Sequence, residues 1–495
     1  MHKGIVAGAV VLTLVAGAVG GFYTVEYKVR TAISDQFATA PERFPGVSSA
    51  TYRTLDIDLR NGLVNFSGIE VRADLAALQA QGGAFEQTPK LPAIKGEAQF
   101  SVENVMISGL WNVIYGTPVL ERVEFSNAVV DTRQAQSIAL TASPTAAQLT
   151  MTTKINSTLS TGRILGLALL DSPADQAVPA VRLNSIDAQD YKLALTTTSE
   201  FFDDRGKPLQ SVSQNSTITM AQVTGANLSP TYLGRLRYEG INIDLDAGPT
   251  PLNVTLGALT LTNSEFIDAL MVRNTTEIKN LRFEADQISS ANAQNFLAIM
   301  GVDQVNLDVK INYNFDLTAQ KFTLSPLSLG LKEVGDVEVN FELTNLPTLA
   351  SLTALRTSDG LGDAPAGAPV TAAQSTLISL FQDTAVNQIS MAYRDRGAVP
   401  KIIAVQAQQA SLEPRQLAER YAQRGALIVK TLFGEERSAQ SQTTFNDFFA
   451  DPDALRVQLN ASPPVNVIEL LKNIQVNGPR AWGSFELDLQ GGLAD

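Results

Sequence analysis

Cysteine is absent from the 495 residues, and histidine occurs once, at His2. Without a thiol there is no disulfide framework, no thiolate metal site and no cysteine nucleophile. One histidine beside the initiator Met cannot assemble a Ser-His-Asp triad or a His-Glu-x-x-His zinc site. Basic residues are in the minority, 37 Lys plus Arg against 50 Asp plus Glu, for a formal net charge of −13. No basic run offsets this balance, and an acidic surface repels phosphate backbones, which argues against nucleic acid as a partner. Also missing are a P-loop, a GxGxxG turn after a strand and a GxSxG elbow, so no cofactor, metal or catalytic residue is expected. The chain reads as a non-enzymatic protein.

What is present is apolar: 44% of residues, with only 18% charged. That composition supports a buried core, and the length allows two or more domains or one elongated body. Gly4 to Val25 is a stretch without charge, GIVAGAVVLTLVAGAVGGFYTV. At 1.5 Å per residue it reaches roughly 33 Å, enough for a hydrocarbon core of about 30 Å. Phe22 and Tyr23 stand where an interfacial aromatic belt would lie. The segment is expected to be a retained single span; the rival reading is a cleaved signal peptide, with Ala16-Gly17-Ala18 as the small-residue site. Both readings export residues 30–495. Gly4 with Gly8, and Gly17 with Gly21, have the GxxxG spacing that lets a second helix approach.

Beyond residue 50 the dominant signal is period two. In Val305-Asn-Leu-Asp-Val-Lys-Ile-Asn-Tyr-Asn-Phe-Asp-Leu317 apolar and polar residues alternate without a break, the pattern of a strand with one face buried and one wetted. Leu327 to Leu331 and Val337 to Leu343 follow, separated by short turn-like links, which predicts an antiparallel meander. Leu55 to Leu59 leads through Asn61-Gly62 into Leu63 to Phe66, a predicted hairpin. Ser67-Gly68 then shifts the alternation before Ile69-Glu-Val71, as a bulge would. Shorter ribbons of the same kind continue to Phe485-Glu-Leu-Asp-Leu489.

Helices are expected at Ala291 to Met300, Arg415 to Leu432 and Thr443 to Phe449, as covers for an apolar sheet face. Residues 356–374, rich in Gly, Pro, Ala and Ser, read as a linker or exposed loop. The expected organisation is a transmembrane anchor over 1–30, a β-rich body over 31–355, that linker, and a C-terminal β-rich module with helices over 375–495. The fold class is mainly β: an N-terminal transmembrane helix, then an elongated antiparallel body, curled or a sandwich, with a few covering helices. Trp111 and Trp482 are expected in the core.

The anchor, the ribbon Tyr52-Arg-Thr-Leu-Asp-Ile-Asp-Leu59 with its hairpin to Val71, and ribbons such as Leu120-Glu-Arg-Val-Glu-Phe125 together resemble the AsmA-like and YdgA-like proteins of Gram-negative bacteria. The likeness is one of layout across most of the chain and rests on no signature motif. It implies an inner-membrane anchor, a periplasmic β-rich body and a role in envelope or lipid homeostasis. In such proteins the sheet curls into an apolar groove that can hold acyl chains. The expected function is therefore a membrane-anchored periplasmic protein that holds lipid acyl chains or scaffolds an envelope complex, with membrane, lipid and envelope proteins as partners. One alternative is a structural or adhesive surface protein with closed sandwiches. The other is a carboxylate-dependent hydrolase using acids such as Asp203-Asp204, Glu435-Glu436, Asp451 and Asp453. Those acids sit in turn and helix-end contexts, where caps and solvated surface are the ordinary roles. Arg394-Asp-Arg-Gly397 lacks the spaced ligands of a calcium loop and reads as a charged hairpin turn.

Overall fold

A computed structural model of the protein describes residues 26–492, apart from Pro45, 78–94, 115–116, 118, 140–147, 170–180, Asp204, 247–250, 268–269, 349 and 352–378. The apolar leader, with Gly4, Gly8, Gly17 and Gly21, and the stretch 356–374 lie outside the described residues. Among the described residues, no helix is long and apolar enough to cross a membrane. The structure is mainly β, as the alternation predicts: 17 strands of one antiparallel sheet, with several helices. The chain divides into two compact units, Met1–Ala258 and Leu259–Asp495.

In the first unit, helix α1 (Glu26–Ala38) and a short turn of helix, α2 (Ala40–Arg43), precede β1 (Val47–Thr51) and β2 (Thr54–Asp58). The hairpin expected around Asn61-Gly62 is present. β2 pairs with the first half of β3 (Leu63–Asp74), Thr54 opposite Ser67 and Asp58 opposite Leu63. Gly62 takes the left-handed conformation that closes the turn, at φ +61. β1 lies along the second half of β3 on the same edge. Then β4 (Lys95–Ser108), helix α3 (Leu110–Ile114) and β5 (Val119–Ala139) continue the meander. It runs on through β6 (Gln148–Leu169), β7 (Val181–Phe202), β8 (Pro208–Ser229) and β9 (Tyr232–Asp246). β10 (Leu252–Ile267) contains the boundary between the units.

Strands β6 to β8 are each 22 residues long, well beyond the usual 3–10, and two transverse rows of left-handed residues cross them. The first row is Gly68, Asn127, Asp190 and Gly240, on alternate strands, with φ between +51 and +59. The second, six positions along, is Gly109, Gly166 and Asn227, with φ of +92, +60 and +54. Register is kept on both sides of each row: Ser67 faces Asn104 and Ile69 faces Val102, so Gly68 stands opposite Glu103. What changes is the parity of the buried face. In β3 it passes from Val64 and Phe66 to Ile69 and Val71; in β4 from Phe100 and Val102 to Val105 and Ile107. In β3 a single left-handed residue between extended neighbours thus keeps the apolar face on one side where the sequence spacing changes from two to three; in β4 the change falls at Glu103, opposite Gly68, with no left-handed residue of its own. Gly, Asn and Asp occupy these sites because they adopt positive φ at least cost.

The core of this unit gathers Val29, Ile33 and Phe37 of α1 against Leu55, Phe66, Ile69, Phe100, Ile107 and Val123, all buried. Trp111 is not core: it is 38% exposed, its indole lying over Gly62. The tight turn has no Cβ to lift the ring away, and that contact rather than burial explains the tryptophan.

The second unit continues with β11 (Leu270–Glu284), α4 (Ala291–Met300), β12 (Gln304–Asp316), β13 (Lys321–Leu331) and β14 (Gly335–Thr344). Next come β15 (Ala385–Asp395), α5 (Ala398–Ala410), α6 (Pro414–Phe433), α7 (Glu435–Ala450), β16 (Ala454–Asn466), α8 (Val467–Asn477) and β17 (Glu486–Gly491). The meander predicted from Val305 onward is β12–β13–β14, with Phe315 facing Phe322 and Phe322 facing Leu343. Helix α6 is continuous through Gly425, whose missing Cβ makes room for the Phe445 ring. Residues 394–397 do not form a hairpin turn: they lead from β15 into α5, with Asp395 accepting from the backbone N–H of Gly397 and Val399. Trp482 is half-buried against the cluster of Val386, Leu470, Ala481 and Phe485, consistent with its expected core place.

Candidate functional site

The feature with chemical consequence is an apolar sheet face that the described helices leave largely uncovered. In the first unit the register stacks apolar residues across five strands: Val123, Ile164, Ile186, Gly225 and Leu236 in one row, and Phe125, Gly162, Ala188, Val223 and Tyr238 in the next. Past the first left-handed row the apolar face resumes with Val130, Ser157, Leu193, Ile218 and Ile243. The β5 end of this surface joins the buried core, but β7, β8 and β9 each bury one residue only: Ala188, Gly225 and Ile241. A face closed by a second layer would bury every second residue. Burial pushes the Tyr238 hydroxyl above its ordinary titration range.

The second unit repeats the arrangement. Ile311, Leu327, Val339, Met391, Val457 and Leu489 form a row across six strands, beside Val309, Leu329, Val337, Tyr393 and Leu455. The flanks are covered. Leu297 and Met300 of α4 pack on Val305 and Val334, while Leu470 of α8 packs on Val386. Between them Phe448 of α7 stands edge-on to Tyr393, but Leu329 is 40% and Met391 48% exposed. Six strands about 4.8 Å apart give a lane of roughly 24 Å. One acyl chain spans about half of a 30 Å hydrocarbon core, and such a chain fits within the lane.

The opposite, polar faces are hollowed, and the acids that line the hollows are paired. A hollow of about 620 Å³ in the first unit is lined by Asn65, Asn104, Glu124, Arg163 and Asp187. Burial pushes the Glu124 carboxyl up, yet its bonds to Arg122 and Arg163 outweigh that and hold it below the usual carboxylate range. Asp187 accepts from Gln222 at 2.8 Å. A hollow of about 440 Å³ in the second unit contains Glu277 paired with Lys310, and Asp336 paired with Arg396 at 2.8 Å. Such paired acids act as surface ion pairs, not as proton donors poised for catalysis.

The acids weighed from sequence fall as their contexts suggest. Asp203 closes the turn before β8, accepting from the backbone N–H of Arg205 and Lys207; Asp204 lies outside the described residues. Glu435 and Glu436 occupy the first turn of α7, where acids favour the helix dipole, and Asp451 follows its last residue. Among the described residues no group of three or more His, Asp and Glu is arranged to hold a metal ion. The apolar rows were missed as a site because they look like core; their exposure is a tertiary property.

Residues 328–483, which include β14 to β16 and helices α5 to α8, match a family model described as "Uncharacterized protein". No curated protein matches the chain.

Proposed function

We propose that the protein is a non-enzymatic component of a bacterial cell envelope that holds lipid acyl chains on the apolar face of its sheet. It is tethered to the inner membrane by the leader at Gly4 to Val25, with residues 30–495 in the periplasm. In this reading the body is a curled sheet, not a closed sandwich. The observation that carries it is the uncovered lane in the second unit, where Leu329 and Met391 stand exposed in the middle of two continuous apolar rows. A face of that size calls for a partner, and a flexible alkyl chain conforms to a shallow corrugated surface without hydrogen-bonding demands. Each buried methylene contributes about 0.8 kcal/mol, so a long chain binds well without a polar contact. The acidic balance and the absence of catalytic motifs fit a carrier or scaffold better than an enzyme.

The test is to purify the full chain in mild detergent and measure co-purifying lipid by native mass spectrometry and by extraction. Phospholipid is expected on the wild type. Leu329→Asp combined with Met391→Asp should strip most of it while leaving the fold intact, because both positions are exposed. A wild type that carries no more lipid than a detergent-matched control protein refutes the proposal.

A further inference from the structure

The edges at the two ends of the meander are guarded. Helix α1 holds the β2 edge, Arg30 Nη1 donating to the Leu55 carbonyl at 2.6 Å, and α7 lies against β17. Among the described residues, one internal edge is not. β8 runs past the end of β9: its pairing with β9 begins at Asn215 opposite Asp246, whereas its pairing with β7 continues out to Pro208. Pro208-Leu-Gln-Ser-Val-Ser-Gln214 is therefore a ladder edge paired on one side. All seven residues are exposed, Leu209 at 50% and Val212 at 37%. Exposed edges are ordinarily blunted by charge, above all by lysine, or by proline, and here the proline, Pro208, stands only at the outer end. This one carries no charged residue in a chain of net charge −13.

We infer that Pro208–Gln214 is a docking edge for a second copy of this chain, joined by antiparallel strand addition about a two-fold axis at Ser211. Alternate residues of the edge turn their N–H and C=O groups away from β7, and a second strand satisfies them. Centring on Ser211 places Leu209 opposite Ser213 and Gln210 opposite Val212, so no like charges meet. A differently charged partner would have nothing on this edge to recognise, whereas a neutral strand of the same sequence complements it throughout. The pairing joins residues of equal parity, so each sheet face continues into the same face of the other copy. A seven-residue ladder is small for an interface, which makes the dimer weak and concentration-dependent.

The natural absence of cysteine makes a direct test clean. In the full chain in detergent, Ser211→Cys should form a disulfide-linked dimer on mild oxidation. Directly opposed Cα atoms in such a ladder lie about 4.5–5.5 Å apart, inside the disulfide range. Arg205→Cys, at the exposed turn before β8, should not, because the same two-fold places its copies roughly 40 Å apart along the ladder. Ser211→Lys should weaken association by about fivefold through like charges at the axis, as should Ser211→Glu, and mixing the two should restore it. Equal cross-linking of the Ser211→Cys and Arg205→Cys proteins overturns the inference. So does a dimer insensitive to Ser211→Lys, failure of the mixture to re-associate, or cross-linking of Ser211→Cys in cells to a different polypeptide. A dimer held only by the Gly4, Gly8, Gly17 and Gly21 face of the leader would show that insensitivity.

Discussion

Replacing Gly166 with alanine tests whether the left-handed rows are close-packed corners of the first unit or merely tolerant spots in long strands. Gly166 has φ +60, which a residue with a Cβ adopts at a cost of about 1–2 kcal/mol. The added Cβ would also stand 2.5 Å from Asn184 Cγ and 2.9 Å from Asn184 Cβ. Rotating the exposed Asn184 side chain moves its amide but not its Cβ, so β6 and β7 must part locally, adding about 1–3 kcal/mol of overpacking. Gly206 is the internal control: its φ is +76, yet a Cβ there would meet nothing within 4 Å. Only the conformational cost remains, about 1–2 kcal/mol. For a unit of this size 1 kcal/mol lowers Tm by about 2–4 °C. Gly166→Ala should therefore unfold about 4–20 °C below wild type, and Gly206→Ala about 2–8 °C below it, with the Gly166 variant the lower of the two. Scanning calorimetry of the two variants and the parent measures the difference. Adding Asn184→Gly to Gly166→Ala should recover part of the gap. Equal shifts for Gly166→Ala and Gly206→Ala would refute the idea that opposite residues meet closely across the row.

Tyr393 donates to Asp395 at 2.7 Å, with the Val334 carbonyl a further acceptor at 3.1 Å, and Asp395 in turn holds the start of α5. Tyr393→Phe should destabilise the second unit by about 1–3 kcal/mol, the range for a hydrogen bond to a charged group, read by urea unfolding. Burial, then the neighbouring Asp395 carboxylate, push the Tyr393 hydroxyl well above its ordinary value of 10. A raised folded-state value means stability is complete below pH 10 and lost as the pH climbs above it; the Phe variant should lack that alkaline loss. Glu124 behaves in the opposite sense. Its depressed folded-state value stabilises above the ordinary carboxylate range, and that share is lost as pH falls through the lower folded value. Thermal scans between neutral and acid pH should show a smaller acid loss for Glu124→Gln than for wild type, and equal losses would refute the pairing with Arg122 and Arg163. Lipid loading should respond to Leu329→Asp with Met391→Asp, and much less to Glu277→Gln on the polar face.

Strand identity was legible wherever alternation was unbroken. Val305 to Leu317 supplied β12 almost to the residue, because half-burial imposes period two and nothing else competes. The left-handed rows were harder. Only Ser67-Gly68 stood out as a shift, yet the structure places the same short phrase, apolar, any residue, then Gly, Asn or Asp, then apolar, at each crossing. It reads Phe66-Ser-Gly-Ile69, Ile107-Ser-Gly-Leu110, Phe125-Ser-Asn-Ala128, Ile164-Leu-Gly-Leu167 and Tyr238-Glu-Gly-Ile241. Each instance alone looks like a turn or a broken strand. The meaning lies in the register that aligns them, which is non-local. Helices α5 and α8 were missed for a related reason. Val467 to Asn477 begins with an Asn cap after an apolar run, and the run reads equally well as strand. Asp395 was assigned to a turn because its capping of α5 depends on where the chain goes next.

The make-up of the apolar face varies along the long strands of the first unit. On the apolar side of β5 to β8, the row of Val130, Ser157, Leu193 and Ile218 is followed two residues outward by Thr132, Ile155, Leu195 and Ser216. Two residues beyond, the same side becomes Gln134, Thr153, Thr197 and Gln214. The strands continue, the pairing continues, and β-propensity is served as well by threonine as by leucine. Solvation alone would favour the polar choice in every row that lacks a covering layer, since leaving a large aliphatic side chain wet forgoes about 1.5–3 kcal/mol of burial. The chain makes that choice in this row, and apolar residues return on the same side beyond it, with Met151 and Val212 and then Leu149 and Phe201. An acyl chain lying on the rows of Leu193 with Ile218 and of Ile155 with Leu195, as proposed above, would recover that burial without hydrogen-bonding demands.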